Sequence, residues 1–378
     1  MSETIMSVEE KQLTPTRPAS AAELQAPLGR ARLEQSSALA LVGLSVLQAE
    51  RAPQRFEPRW FRAWEAQLYQ RAARKTGRRQ WDFSRFSQDG GLEAAKIGYR
   101  DTLGAVAQAA KQAVAASEAS CGRRSSRERM ALLYFDFWGQ SSHLEQAFNW
   151  RDSFDLDVIP KFILRDQATE AFSCKVQAGR GAFIQALRMA QALLHGGGAD
   201  SVLLGGLFRS FPVLCFAEAI SSNAAERDWL GRGGQHNAPL VERAGFMVLR
   251  RGEALATARQ PGLLLGEPHY LQAPAGRAAT QQALSERWAE LLSEPRALVY
   301  GGHYPSSLLD QVEAGAAAAQ GDRWVYENIC RRFGDSGGLN PLLALQRHAE
   351  RKAAQADTPP ALLSLSDSQG GTWLLRGE

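Results

Sequence analysis

Cysteine is scarce in this 378-residue chain: Cys121, Cys174, Cys215 and Cys330 are the only four, and no two form a Cys-x-x-Cys pair. That pattern excludes a zinc ribbon, a dithiol redox centre and a disulfide-stapled scaffold, so a reduced, cytoplasmic protein is expected. The N-terminal residues lack the apolar stretch of a secretory signal. Long hydrophobic runs are missing too. The best, residues 38–47, is about half the length that crosses a bilayer, so no membrane span is expected. His143, His195, His236, His269 and His348 show no ligand spacing, and no metal is expected. No Gly-x-Ser-x-Gly elbow exists to carry a nucleophilic serine. Gly179-x-Gly181 resembles half of a dinucleotide fingerprint, but Ile184 takes the third glycine position. Neither sign of charge dominates, with 44 basic against 40 acidic residues, and nucleic-acid binding is not the default reading.

What the chain does have is alternation. Residues 1–36 are polar, aperiodic and read as a flexible lead. Short apolar runs at 38–47, 130–137, 200–204, 244–249, 262–265 and 297–300 read as strands, with a hairpin at 361–365 and 372–376. Helical spacing is read over 92–117, 280–292, 306–320 and 339–354. The interleaving of strands and helices predicts an α/β chain of two similar halves, 37–255 and 256–378. Residues 51–85 form an insert that mixes basic residues with Phe56, Trp60, Phe61, Trp64, Tyr69, Trp81 and Phe83. Its bland reading is an amphipathic segment with aromatics inward, and the alternative is a grip for an acidic partner or a phosphate.

One stretch, 171–206, organises the rest. Cys174 stands before a run of small and apolar residues that reads as a buried helix, stopped at His195-Gly196-Gly197-Gly198 and followed by a core strand. A thiol at a helix N-terminus meets unpaired N–H groups and the positive end of the dipole, which favours thiolate; Lys175 would add to that. The bland alternative is a small buried hydrophobe, the reading given to Cys121, Cys215 and Cys330. His303 follows Gly301-Gly302 at a strand end, and Asp335 precedes Ser336-Gly337-Gly338 and a helix, where it would also serve as a cap.

Five segments in order resemble the thiolase-fold condensing enzymes, and among them the β-ketoacyl-acyl-carrier-protein synthase III group, from about Leu39 to the C-terminus. They are Ser173-Cys174 with its helix and strand, Val241–Leu249, Tyr300-Gly301-Gly302-His303, Gly334-Asp335-Ser336-Gly337-Gly338 and Gly370-Gly371-Thr372-Trp373. The resemblance implies a thiolase-like fold with two pseudo-duplicated halves in an α-β-α-β-α arrangement. It also implies a nucleophile at Cys174, a base at His303 and an oxyanion hole from the N–H of Cys174 and of Gly370 or Gly371. Asp335 stands where the group has Asn. An ionised Asp accepts but cannot donate, so it opposes enolate formation and instead would orient His303 in a Cys-His-Asp set. Glu242-Arg243 replaces the usual Asp-Gly.

The expected function is therefore acyl transfer from a coenzyme A or acyl-carrier-protein thioester through Cys174 to an acceptor, in polyketide, fatty-acid or related biosynthesis. The thioester is substrate, and no permanently bound cofactor is implied. Two alternatives stay open: a decarboxylating synthase in which a protonated Asp335 donates, and a non-catalytic partner subunit of a synthase heterodimer. A dimer is implied either way. Loops at 138–150 and 208–237 are expected to line the substrate.

Overall fold

The computed structural model describes residues 37–59, 63–86, 99–125, 127–136, 163, 172–355, 357–367 and 369–378. The N-terminal lead, the 138–150 loop and most of the approach to Cys174 lie outside them. The strands are β1 (Leu39–Gln48), β2 (Gln54–Arg55), β3 (Asp82–Ser84), β4 (Met130–Asp136), β5 (Phe172–Val176), β6 (Ser201–Phe208) and β7 (Leu240–Val241). They continue with β8 (Arg243–Arg251), β9 (Leu263–Leu265), β10 (His269–Gln272), β11 (Ala297–Gly301), β12 (Trp324–Asn328), β13 (Ala361–Ser366) and β14 (Gly371–Gly377). The helices are α1 (Ala63–Thr76), α2 (Tyr99–Cys121), α3 (Ala182–His195), α4 (Pro212–Leu230), α5 (Arg277–Leu291), α6 (Ser307–Ala318), α7 (Ile329–Phe333) and α8 (Asn340–Ala354). No described helix is long and apolar enough to cross a membrane.

The duplication is written in the strand order. One half runs β5-β4-β6-β8-β1 and the other β12-β11-β13-β14-β10, with β9 joining them through β1 and β14. In each half the first three strands are parallel and the remainder antiparallel. Helix α3 lies in sequence between β5 and β6, and α8 between β12 and β13, so the two are equivalent.

The layers follow from the period-2 alternation of the strands. Along β4, Met130, Leu132 and Tyr134 pack with Val106, Ala109, Ala110 and Ala113 of α2. Ala131, Leu133 and Phe135 face the other way, onto α3 and α8. Along β11, Leu298 and Tyr300 join that same central core, while Ala297 and Val299 pack with Leu284 and Trp288 of α5 and Val312 of α6. The result is α2, sheet, α3 with α8, sheet, and α5 with α6: five layers, the thiolase-like arrangement. The two central helices are covered on both sides; the turn before α8 is buried, whereas the turn before α3 is partly exposed at Gly179–Gly181.

The 51–85 insert yields α1 flanked by β2 and β3. Phe56, Trp81 and Phe83 are buried around Phe216 in edge-to-face contacts, whereas Trp64 and the basic residues Arg71, Arg74 and Lys75 are exposed. Helix α4 occupies much of the 208–237 segment expected as a loop, and β12 was not visible from the sequence pattern.

Candidate functional site

The segment after Cys174 does not fold as expected. Cys174 lies within β5, beside Leu133 of β4, half-buried, with its thiol against the carbonyl of Lys175. The helix starts only at Ala182, after a 3-10 turn over Gly179–Gly181, because Gly179 adopts φ +52°, a conformation no helix interior contains. Cys174 is therefore removed from the N-terminal N–H groups on which its expected activation rested. Lys175, the next residue on a strand, points to the opposite face.

Arg180 holds the place at the helix start. Its guanidinium makes fork contacts with two carboxylates: Asp335, at 2.8 and 2.6 Å, and Glu218 of α4, at 2.7 and 3.2 Å. It also donates to the carbonyl of His303 (3.1 Å) and lies 5.3 Å from the ring of Tyr304. Burial disfavours the charge, yet the two carboxylates hold the Arg180 pKa above its ordinary value.

Asp335 is fully buried, and every bond its carboxylate makes accepts. Besides Arg180, its Oδ1 takes the Gly337 N–H (3.0 Å), the Asn340 amide (2.9 Å) and the Cys330 thiol (3.7 Å). Burial alone would raise its pKa, but Arg180, Asn340 and Gly337 outweigh that and hold the carboxyl well below the usual carboxylate range. The protonated Asp335 required by the decarboxylating alternative is thus disfavoured. Burial has the upper hand at Glu218, whose pKa is raised, and at Cys330 and Cys215, whose thiols are pushed well up and stay protonated.

His303 sits at the end of β11 after Gly302, whose φ of +70° turns the chain inward. Glu313 of α6 fixes that turn by accepting the Gly302 N–H at 2.7 Å. The imidazole is held by the carbonyl of Tyr300, 3.1 Å from Nε2, and not by Asp335 as expected. A carbonyl only accepts, which assigns the proton to Nε2 and leaves Nδ1 as a lone pair. Among the described residues Nδ1 has no partner, and burial lowers the ring's pKa to about 4.

Gly370 and Gly371 stand apart from this cluster. Gly371 donates its N–H to the Asp367 carboxylate (3.0 Å). Gly370, at φ +91°, lies beside the indole of Trp229, which packs with Tyr304. Its relation to Arg180 is thus indirect.

Four residues of the cluster escaped sequence reasoning: Arg180, Glu218, Asn340 and His236. A signal existed for two of them, since Arg180 breaks a run of small residues and Glu218 is the one acid in the apolar start of α4. His236 lies on the loop tied by Gly234 to Ser307 and by Pro239 to Asp335, and burial lowers its pKa to about 4. Glu242-Arg243 makes no turn. Both are fully buried: Glu242 accepts from Arg85, Phe86 and Ser210, and Arg243 donates to Phe333, Gly334 and Ser336, bracing the Asp335 loop. Among the described residues no group of three His, Cys, Asp or Glu could hold a metal.

No family model matches the chain, and no curated protein matches it in sequence. Solved structures do match its fold. AntDE:AntF, a type II polyketide synthase acyl-carrier protein in complex with its ketosynthase bound to the hexaketide, aligns with a TM-score of 0.59 at 14% identity, covering 91% of this chain and 99% of that one. The Streptomyces albus oxazolomycin ketosynthase domain gives 0.59 at 12%, covering 90% and 74%. Xanthomonas campestris OleA bound with cerulenin gives 0.53 at 14%, covering 90% and 96%. The chain has the thiolase-like fold of ketosynthases.

Proposed function

We propose that this chain serves ketosynthase-type acyl chemistry as a subunit that does not itself carry the acyl group, paired with a condensing enzyme of the same fold. One observation carries the reading: Arg180, clamped by Asp335 and Glu218, fills the turn at the start of α3, the helix N-terminus at which Cys174 was expected, while Cys174 lies back on β5. A guanidinium is permanently charged and has no lone pair to offer an acyl carbon. The likeness to a keto synthase-chain length factor chain, of which this chain covers 44%, supports a setting in which two such folds work together. An acyl-carrier protein or coenzyme A thioester would then engage the pair.

The second reading is acyl transfer through Cys174, and the observation in its favour is accessibility. Cys174 is half-buried, whereas Cys215 and Cys330 are sealed. Intact-protein mass spectrometry after incubation with a panel of acyl-coenzyme A and acyl-carrier thioesters separates the two. The partner-subunit reading predicts no acyl adduct on the native chain. A mass gain of one acyl group that disappears in Cys174→Ala would replace it with the transferase reading.

A further inference from the structure

A cleft of about 180 Å³ opens far along the chain from the Arg180 cluster, where the two halves of the sheet join. It exists because the ladder between β1 and β9 is only three residues long, ending at the pair Leu41 and Leu263. Past Leu41, β1 continues against β8 on one side, with a register irregularity between Leu41 and Gly43. On the other side no described strand pairs with it, and the cleft takes the vacated place. Helix α2 supplies one wall through Ala116 and Ser120, α8 another through Ala349 and Lys352, and residues 260–263 a third. The walls are tied together: the Ser120 hydroxyl donates to the Gln260 carbonyl (3.4 Å), and the Lys352 ammonium to the Gly262 carbonyl (3.3 Å).

The chemistry of the walls selects a ligand class. Leu41, Leu44, Leu263, Ala116 and Ala349 are apolar, and Lys352 is the one charged residue among the lining side chains. An ammonium has three N–H donors, of which one is directed at Gly262. Burial depresses the Lys352 pKa, opposed only by the more distant charge of Glu378, which is itself paired with Arg376. A carboxylate placed in the cleft would return to the ammonium the stabilisation that burial removes. At about 180 Å³ the cleft is small for a ligand pocket and suits an aliphatic acid of only a few carbons.

We propose that this cleft binds a short aliphatic carboxylate, its head on Lys352 Nζ and its alkyl chain between α2 and α8. The site bridges the two halves and is independent of the function assigned to the Arg180 cluster. Isothermal titration calorimetry of the full chain with butyrate and hexanoate, with hexanol as the uncharged control, tests it. Expected are saturable binding of hexanoate, binding of hexanol about tenfold weaker or absent, and at least a tenfold loss of hexanoate affinity in Lys352→Met. Ala349→Phe, which fills the cleft without touching the charge, should abolish binding as well. The proposal is overturned if neither acid binds the native chain, if hexanol binds as well as hexanoate, or if both variants keep native affinity.

Discussion

The same turn is built twice in this molecule. In the N-terminal half Gly179 takes φ +52°, a 3-10 turn follows over Gly179–Gly181, and α3 starts at Ala182; in the C-terminal half Gly337 takes φ +55°, the turn spans Gly337–Leu339, and α8 starts at Asn340. The two turns meet, since a Cβ on Gly338 would lie 3.2 Å from the Gly179 carbonyl. They differ at the second position, which is Arg180 in one half and Gly338 in the other. The half that carries a side chain there sends it across to Asp335, which stands two residues before the turn in the other half. A duplicated frame has thus been made asymmetric by one long cation. An ion pair therefore links the two halves where the central helices start.

Breaking that asymmetry should produce the largest effect. Arg180→Ala leaves buried Asp335 without its paired counter-charge, and removal of one partner from a buried pair costs roughly 3–5 kcal/mol. Chemical denaturation should show the loss, whereas the same change at exposed Arg74 should cost less than about 0.5 kcal/mol.

Next in size is a pH effect, because the surroundings of the centre hold histidines neutral. His236, His303 and His348 each have a pKa lowered to about 4 by burial, so the unfolded chain binds protons that the folded chain refuses between about pH 6.5 and 4. Stability should fall as pH drops through that window, by up to about 3 kcal/mol per histidine. Glu313 acts in the opposite sense. Burial raises its pKa to about 7, so its contribution is present below about pH 4.5 and is lost as pH rises through 7. Denaturation midpoints across pH 4 to 8 should show the acid limb flattened in His303→Gln and the decline near neutrality flattened in Glu313→Gln.

The smallest expected effect sharpens the comparison of the turns themselves. Gly179→Ala meets no atom within 4 Å, so only its positive φ opposes the change, at about 1–2 kcal/mol. A loss well above that would mean that the turn is held by more than backbone geometry.

The α/β layering is legible in the sequence because continuous apolar runs such as 130–137 and 297–300 mark strands buried on both faces between helical segments, but such runs do not say which face is central. His303 was legible as a residue at a strand end after two glycines. The segment between Cys174 and Ala182 was read as helix because Ala178, Gly179 and Gly181 look like small helix residues, whereas Gly179 is left-handed. The partner of Asp335 was misassigned for a different reason: ion pairing across 155 residues of sequence leaves no local periodicity. His303 took its hydrogen bond from Tyr300, three residues back, where a side-chain partner had been expected.

A double-mutant cycle on Arg180→Ala and Asp335→Ala tests most directly whether the two turns are locked through the centre. The account predicts that the double variant is destabilised by much less than the sum of the singles, with a coupling of about 1–3 kcal/mol. Additive losses within about 0.5 kcal/mol would mean that Arg180 and Asp335 act separately, and would contradict the claim that their ion pair locks the two turns together.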